Sequence, residues 1–156
     1  MSHSTHHFDT ECASHPDCPL CRRIVEHRDA ASPFVIHEFE HSLFVVGEHQ
    51  FHEGYAQLWF KRHVREIHEL DISLQTALFG ELMAATQALV KTFEPWKMNH
   101  ACYGNQVQHI HWHLFPRYDS RPDHLQHPWL HADEFKNHAI EAAQAATLAR
   151  SIRCNL

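Results

Sequence analysis

No apolar run in the 156-residue chain approaches the ~20 residues of a membrane-spanning helix. Its first residues, Met1-Ser2-His3-Ser4-Thr5-His6-His7, hold no apolar core of the kind a secretory signal needs. A cytoplasmic location without membrane attachment is therefore the expectation. The chain also lacks a basic excess, because its formal net charge is -6. That excludes generic wrapping of a nucleic-acid duplex, which requires a cationic face to displace counterions, but not a small anionic ligand held by local donors. Five cysteines (Cys12, Cys18, Cys21, Cys102, Cys154) cannot pair evenly. In a chain without a secretory signal, Cys18-Pro19-Leu20-Cys21 reads as metal or redox chemistry before it reads as a disulfide. There is no internal repeat and no linker, so residues 1–156 are expected to form one domain.

What is present is 44% hydrophobic and 21% charged, an ordinary globular balance. Residues 1–17 are polar and His-rich without periodicity and read as a mobile arm. Residues 34–47, dense in Val, Phe and Ile, predict two strands around a turn at Glu40-His41. Residues 55–62 predict a third strand, with Leu58, Trp59 and Phe60 consecutive and so buried on both faces. Leu70, Leu74, Leu78, Leu82, Ala85, Leu89 and Phe93 recur at steps of three or four, the stripe of an amphipathic helix. Asp71 or Ser73 can cap its start, and Pro95 ends it. Residues 97–104 and 107–115 read as a strand pair, residues 119–131 as a loop, and residues 132–150, rich in alanine, as a C-terminal helix. This order suggests an α+β domain on an antiparallel meander.

Histidine is abundant, 19 residues in all. At that frequency a His-x-His-x-His spacing is expected by chance about a quarter of a time per chain of this length. Its setting carries the meaning. If residues 107–115 form a strand, Val107, His109, His111, His113 and Phe115 share one face, and Gln108, Ile110, Trp112 and Leu114 the other. Pro116 would stop the ladder. Successive imidazoles then stand ~6.6 Å apart and the outer two ~13 Å. All three cannot ligate one ion through zinc–nitrogen bonds of ~2.1 Å, so at least one is free for other chemistry. A neutral imidazole flanked by N–H donors suits attack on phosphorus. Asn99 and Gly104-Asn105-Gln106 lie just upstream, offering amide donors and a glycine that allows close backbone approach.

The run His109-Ile110-His111-Trp112-His113-Leu114-Phe115, followed by Pro116-Arg117, resembles the histidine triad (HIT) superfamily of nucleotide hydrolases and transferases, whose motif is His-φ-His-φ-His-φ-φ with φ apolar. The resemblance extends to Lys61-Arg62-His63, the long helix and Asn99 through Gln106. It spans roughly residues 18 to 118, with the bacterial diadenosine polyphosphate hydrolases the most similar group. It implies a HIT-like fold, a roughly five-stranded antiparallel sheet with one long helix and a C-terminal helix. By the same resemblance His111 is the nucleophile toward the α-phosphate of a dinucleoside polyphosphate, giving a nucleotidyl-histidine that water hydrolyses. His113 hydrogen-bonds phosphate oxygens and the leaving group, and the His109 carbonyl holds the His111 tautomer. Asn99 and Gln106 take phosphate-contacting places, with Asn105 an amide donor beside them. Gly47 stands where members carry an Asp or Asn for the ribose, with Glu48 the available substitute. Zinc-containing members pair an N-terminal C-x-x-C with two histidines, here Cys18, Cys21, His63 and His109. That set has no open position and is hence structural; His15 and Cys12 are competing ligands. No organic cofactor is implied, and a homodimer is. The other readings are a nucleoside phosphoramidase using the same nucleophile on P–N bonds, and a non-catalytic nucleotide-binding module.

Overall fold

The computed structural model describes residue 15, residues 17–29 and residues 31–156. Most of the expected N-terminal arm thus lies outside the described residues, as does Cys12; His15 is described and stacks on His63, ring centroids 3.9 Å apart. The elements are α1 (Pro19–Asp29), β1 (Val35–Glu38), β2 (Ser42–Val46), β3 (Ala56–Phe60), α2 (Ile72–Phe93), β4 (Lys97–Ala101), β5 (His111–Arg117), a 3-10 stretch (Pro128–His138) and α3 (Ala142–Arg153). All five strands join one antiparallel sheet in the order β1-β2-β3-β5-β4.

That order corrects the meander. After β3 the chain crosses the sheet as α2, lays β4 at the edge, and returns as β5 to fill the space between β4 and β3. Period-two alternation then sorts the side chains. Leu58 opposite Trp112 and Ala56 opposite Leu114 face the helices. There Phe44, Val46, Leu82, Ala85, Leu89, Ala149 and Ile152 complete the main core. Trp59 opposite His111 and Gln57 opposite His113 face the other way, toward α1. The Leu20 and Ile24 side chains of α1 pack there on Leu43, Val45 and Trp59. Both faces of β2 are therefore covered, and all five of its residues are buried.

The helix α2 follows its apolar stripe. Asp71 caps it, accepting the Leu74 N–H at 2.8 Å. It ends at Phe93 with Glu94 in the left-handed region just before Pro95. Several boundaries differ from expectation. The C-terminal helix starts at Ala142, not 132, because the Glu141–Gln144 capping box sets its first turn. Residues 128–138 instead wind as 3-10 turns after Pro128, with a kink at His131. The final strand begins at His111, not 107, because the His109 N–H bonds the Val107 carbonyl at 2.8 Å, a three-residue turn that breaks the pleat. Finally, Pro116 does not stop the ladder: β5 runs on to Arg117, with Pro116 opposite Met98. Pairing with β3 ends at Leu114, so Pro116 has a neighbour strand on one side only, an edge-like place that proline tolerates.

α1 was not expected from sequence. Its buried residues Leu20, Cys21 and Ile24 recur at helical spacing, a signal too short to distinguish from a loop.

Two glycines illustrate how locally sequence is dictated. A Cβ on Gly47 would lie 2.1 Å from the Tyr55 ring, whereas a Cβ on Gly80, within α2, would meet nothing within 4 Å. Gly47→Ala is expected to destabilise by about 1–3 kcal/mol through overpacking. Gly80→Ala is expected to stabilise by up to about 1 kcal/mol through helix propensity. Urea denaturation of both variants checks the opposite signs.

Candidate active site and metal centre

The turn at residues 107–110 divides the three histidines. His109 is pulled off the strand and fully buried, while His111 and His113 stay on β5, half-buried. The His109 Nε2–H donates to the Phe60 carbonyl at 2.6 Å, which leaves the Nδ1 lone pair aimed at two thiols. Nδ1 lies 3.4 Å from Cys18 Sγ and 3.5 Å from Cys21 Sγ, and Cys21 Sγ lies 3.6 Å from His63 Nδ1. The donor atoms of Cys18, Cys21, His63 and His109 all lie within 4.8 Å of one another. For tetrahedral zinc with ~2.3 Å bonds to sulfur and ~2.1 Å bonds to nitrogen, adjacent S and N ligands stand about 3.6 Å apart. The residues fit such an ion, and the Phe60 carbonyl supplies the outer-shell bond that orients a ligating histidine. Burial holds the His109 imidazole down to about 4, keeping it neutral as a ligand must be.

His111 is oriented by the same residue. Its Nδ1–H donates to the His109 carbonyl at 2.6 Å, so in the neutral ring Nε2 carries a free lone pair. The His113 ring is 5.0 Å from that of His111, centroid to centroid. Burial first, and His111 second, push His113 down to about 3. Its Nδ1 is 2.6 Å from the Tyr55 hydroxyl, and Tyr55 lies parallel on Phe115 at 4.5 Å.

Both imidazoles open into a cavity of about 590 Å³. Asn105 and Gln106 line it beside them. Asn99 does not. Its side chain accepts from Arg117 Nη1 at 3.3 Å and lines a neighbouring cavity of about 410 Å³, with His127 and Trp129 bordering both. Glu48 is also absent from the wall; it pairs with Arg23, which is part of it. The Arg23 guanidinium lies over Trp59 at 4.8 Å and is, among the described residues, the one permanently charged side chain lining the cavity.

Several wall residues were not legible as such. Leu20 and Arg23 come from α1, Gln57 from β3, Tyr103 and His127 from loops, and Trp129 from the 3-10 stretch. Trp129 packs edge-on against His113 at 4.8 Å. The Trp129 N–H donates to His127 Nδ1, so His127 Nε2–H is left to donate to the Tyr103 hydroxyl at 3.0 Å, closing that wall. Only Gln57 had a usable signal, the strand parity that sets it opposite His113.

The HIT domain sequence profile matches residues 28–120. A Bacillus subtilis relative, Protein hit, is 26% identical over 140 residues, covering 86% of this chain and 94% of the relative. A solved histidine triad protein from Sinorhizobium meliloti superposes with a TM-score of 0.68 at 21% identity, covering 83% of this chain and 94% of that one. A Plasmodium falciparum diadenosine triphosphate hydrolase shares the fold more distantly, with a TM-score of 0.55 at 18% identity over 78% of this chain and 75% of that one. With a profile that spans more than half its length and a matching fold, the chain belongs to the histidine triad (HIT) family of nucleotide-binding, hydrolase-like proteins.

Proposed function

We propose that the protein hydrolyses a dinucleoside polyphosphate, such as diadenosine tetraphosphate, at its α-phosphate through a covalent intermediate on His111. The observation that carries this reading is the 2.6 Å bond from His111 Nδ1–H to the His109 carbonyl, which leaves the Nε2 lone pair at the cavity. In the first step Nε2 forms a bond to the α-phosphorus as the bond to the bridging oxygen breaks, and His113 hydrogen-bonds the departing oxygen. Asn105 and Gln106 donate to non-bridging oxygens as charge develops there. In the second step water adds to phosphorus, the P–N bond breaks, and the nucleoside monophosphate leaves with His111 restored.

A polyphosphate is favoured over a P–N substrate with an uncharged leaving group by Arg23, a permanent cation of the cavity wall. Its present partner Glu48 is largely exposed and can give way to a phosphate. Cys18, Cys21, His63 and His109 would hold a structural zinc, tying α1 and the end of β3 to the start of β5. A homodimer is part of the same reading. A cytoplasmic location is part of the same reading; no helix among the described residues is long and apolar enough to cross a membrane.

Wild-type protein given diadenosine tetraphosphate is expected to release AMP, and His111→Asn to lose at least about 10³-fold in turnover, the scale of losing a covalent nucleophile. Unchanged turnover in the variant would refute the assignment. Arg23→Gln is expected to lower kcat/KM about tenfold or more on the polyphosphate, as for a lost charge-assisted bond. On an adenosine phosphoramidate with an uncharged amine the effect should stay near twofold; equal losses on both would remove Arg23 from substrate binding. Elemental analysis should find about one zinc per chain, lost in the Cys18→Ser, Cys21→Ser double variant. Protein prepared without chelator and free of metal would contradict the zinc.

A further inference from the structure

A run of hydrogen bonds on the cavity face of β3 fixes the proton positions around His113. It starts at Trp59, whose indole nitrogen is a donor only. That N–H lies 2.7 Å from Gln57 Oε1, so the carbonyl end of the Gln57 amide is settled and its NH2 points the other way. The NH2 donates to the Tyr55 oxygen. The Tyr55 hydroxyl, having accepted there, is left with its own single proton to place. His113 Nδ1 is the acceptor, at 2.6 Å, and Gln57 Nε2 also approaches that nitrogen, at 3.5 Å.

The opposite arrangement would put the His113 proton on Nδ1. The Tyr55 oxygen would then receive two N–H groups, and its own buried O–H would have no acceptor among the described residues, a costly state for a buried hydroxyl. Burial also keeps both partners neutral, raising the phenol above its usual value and lowering the imidazole.

We infer that Tyr55 is a positioning residue that holds His113 as the Nε2–H tautomer, so that His113 presents a donor to the cavity beside the lone pair presented by His111. The assignment of a task to that donor, namely bonding the departing oxygen, rests on the hydrolase reading above; the tautomer does not.

The placement of Tyr55 is specified by its surroundings. Its ring stacks on Phe115 at 4.5 Å with planes 9° apart, and on its other flank His49 stacks at 4.6 Å. It also occupies the space that any side chain at residue 47 would need, since a Cβ on Gly47 would fall 2.1 Å from Tyr55 Cδ1. Gly47 and Tyr55 are therefore one feature. A side chain at residue 47 is excluded by the phenol ring, which fills its place and reaches back to His113.

Two readouts test the inference. Long-range proton–nitrogen correlation spectra of protein labelled in its histidine rings report the tautomer directly, with His113 identified by its absence in His113→Gln. Nε2–H is expected at His113, and Nδ1–H would overturn the inference whether or not any nucleotide is hydrolysed. For turnover, Tyr55→Phe keeps the ring and removes only the hydroxyl. Its kcat is expected to fall about tenfold, the effect of one lost orienting hydrogen bond, with KM nearly unchanged and the loss growing as the leaving group becomes more basic. Combined with His113→Gln, it should add no further loss, because Tyr55 acts through that ring. A fully additive double variant, or a loss equal across leaving groups, would contradict the positioning role. If the wild type hydrolyses none of the nucleotide substrates, the hydrolase reading fails, and the ring spectra still decide the role of Tyr55.

Discussion

The antiparallel pairing of β3 with β5 is the constraint on which the rest depends. Trp59 opposite His111 and Gln57 opposite His113 put two imidazoles and their supporting side chains on one face of the sheet. The same pairing sends Leu58, Ala56, Trp112 and Leu114 into the core, so a slip of one residue would bury the imidazoles and expose the core. The chemistry of the strand is thus locked to the packing of the domain.

Just before that pairing begins, the chain makes the departure that separates the histidines. A regular strand back to Val107 would present three similar imidazoles on an open surface. The turn at residues 107–109 instead drops His109 into the cluster with Cys18, Cys21 and His63, and aims its carbonyl at His111. One residue thereby serves two purposes: its ring faces the thiols, and its backbone orients the neighbouring imidazole. The Cys/His cluster and the cavity are also joined through α1, whose Cys21 belongs to one and whose Arg23 lines the other.

Much of this was readable in the sequence where the signal is periodic. The stripe from Leu70 to Phe93 gave α2, and alternation gave the core side of β5. The joint placement of Cys18, Cys21, His63 and His109 followed from family resemblance, and their donor atoms do gather. What was not readable depends on tertiary pairing. The order β3-β5-β4 leaves no mark on a single strand, and the turn at 107–109 hides inside a pattern that alternates well. Asn99 sits on the strand beside the triad, yet its amide is engaged by Arg117 and faces a different cavity. Trp129 and His127 reach the cavity from a segment with no periodic signal. That the Tyr55 ring fills the space beside Gly47 likewise leaves no mark on the sequence.

The central claim is a division of labour in which His111 alone forms a bond to substrate. Rapid mixing with a dinucleoside polyphosphate, quenching in base and peptide mass spectrometry test it most directly, because a nucleotidyl–imidazole bond is then retained and located. One nucleotidyl group, carried by His111, is the expected result. Turnover without any adduct, or an adduct on His113, would contradict it.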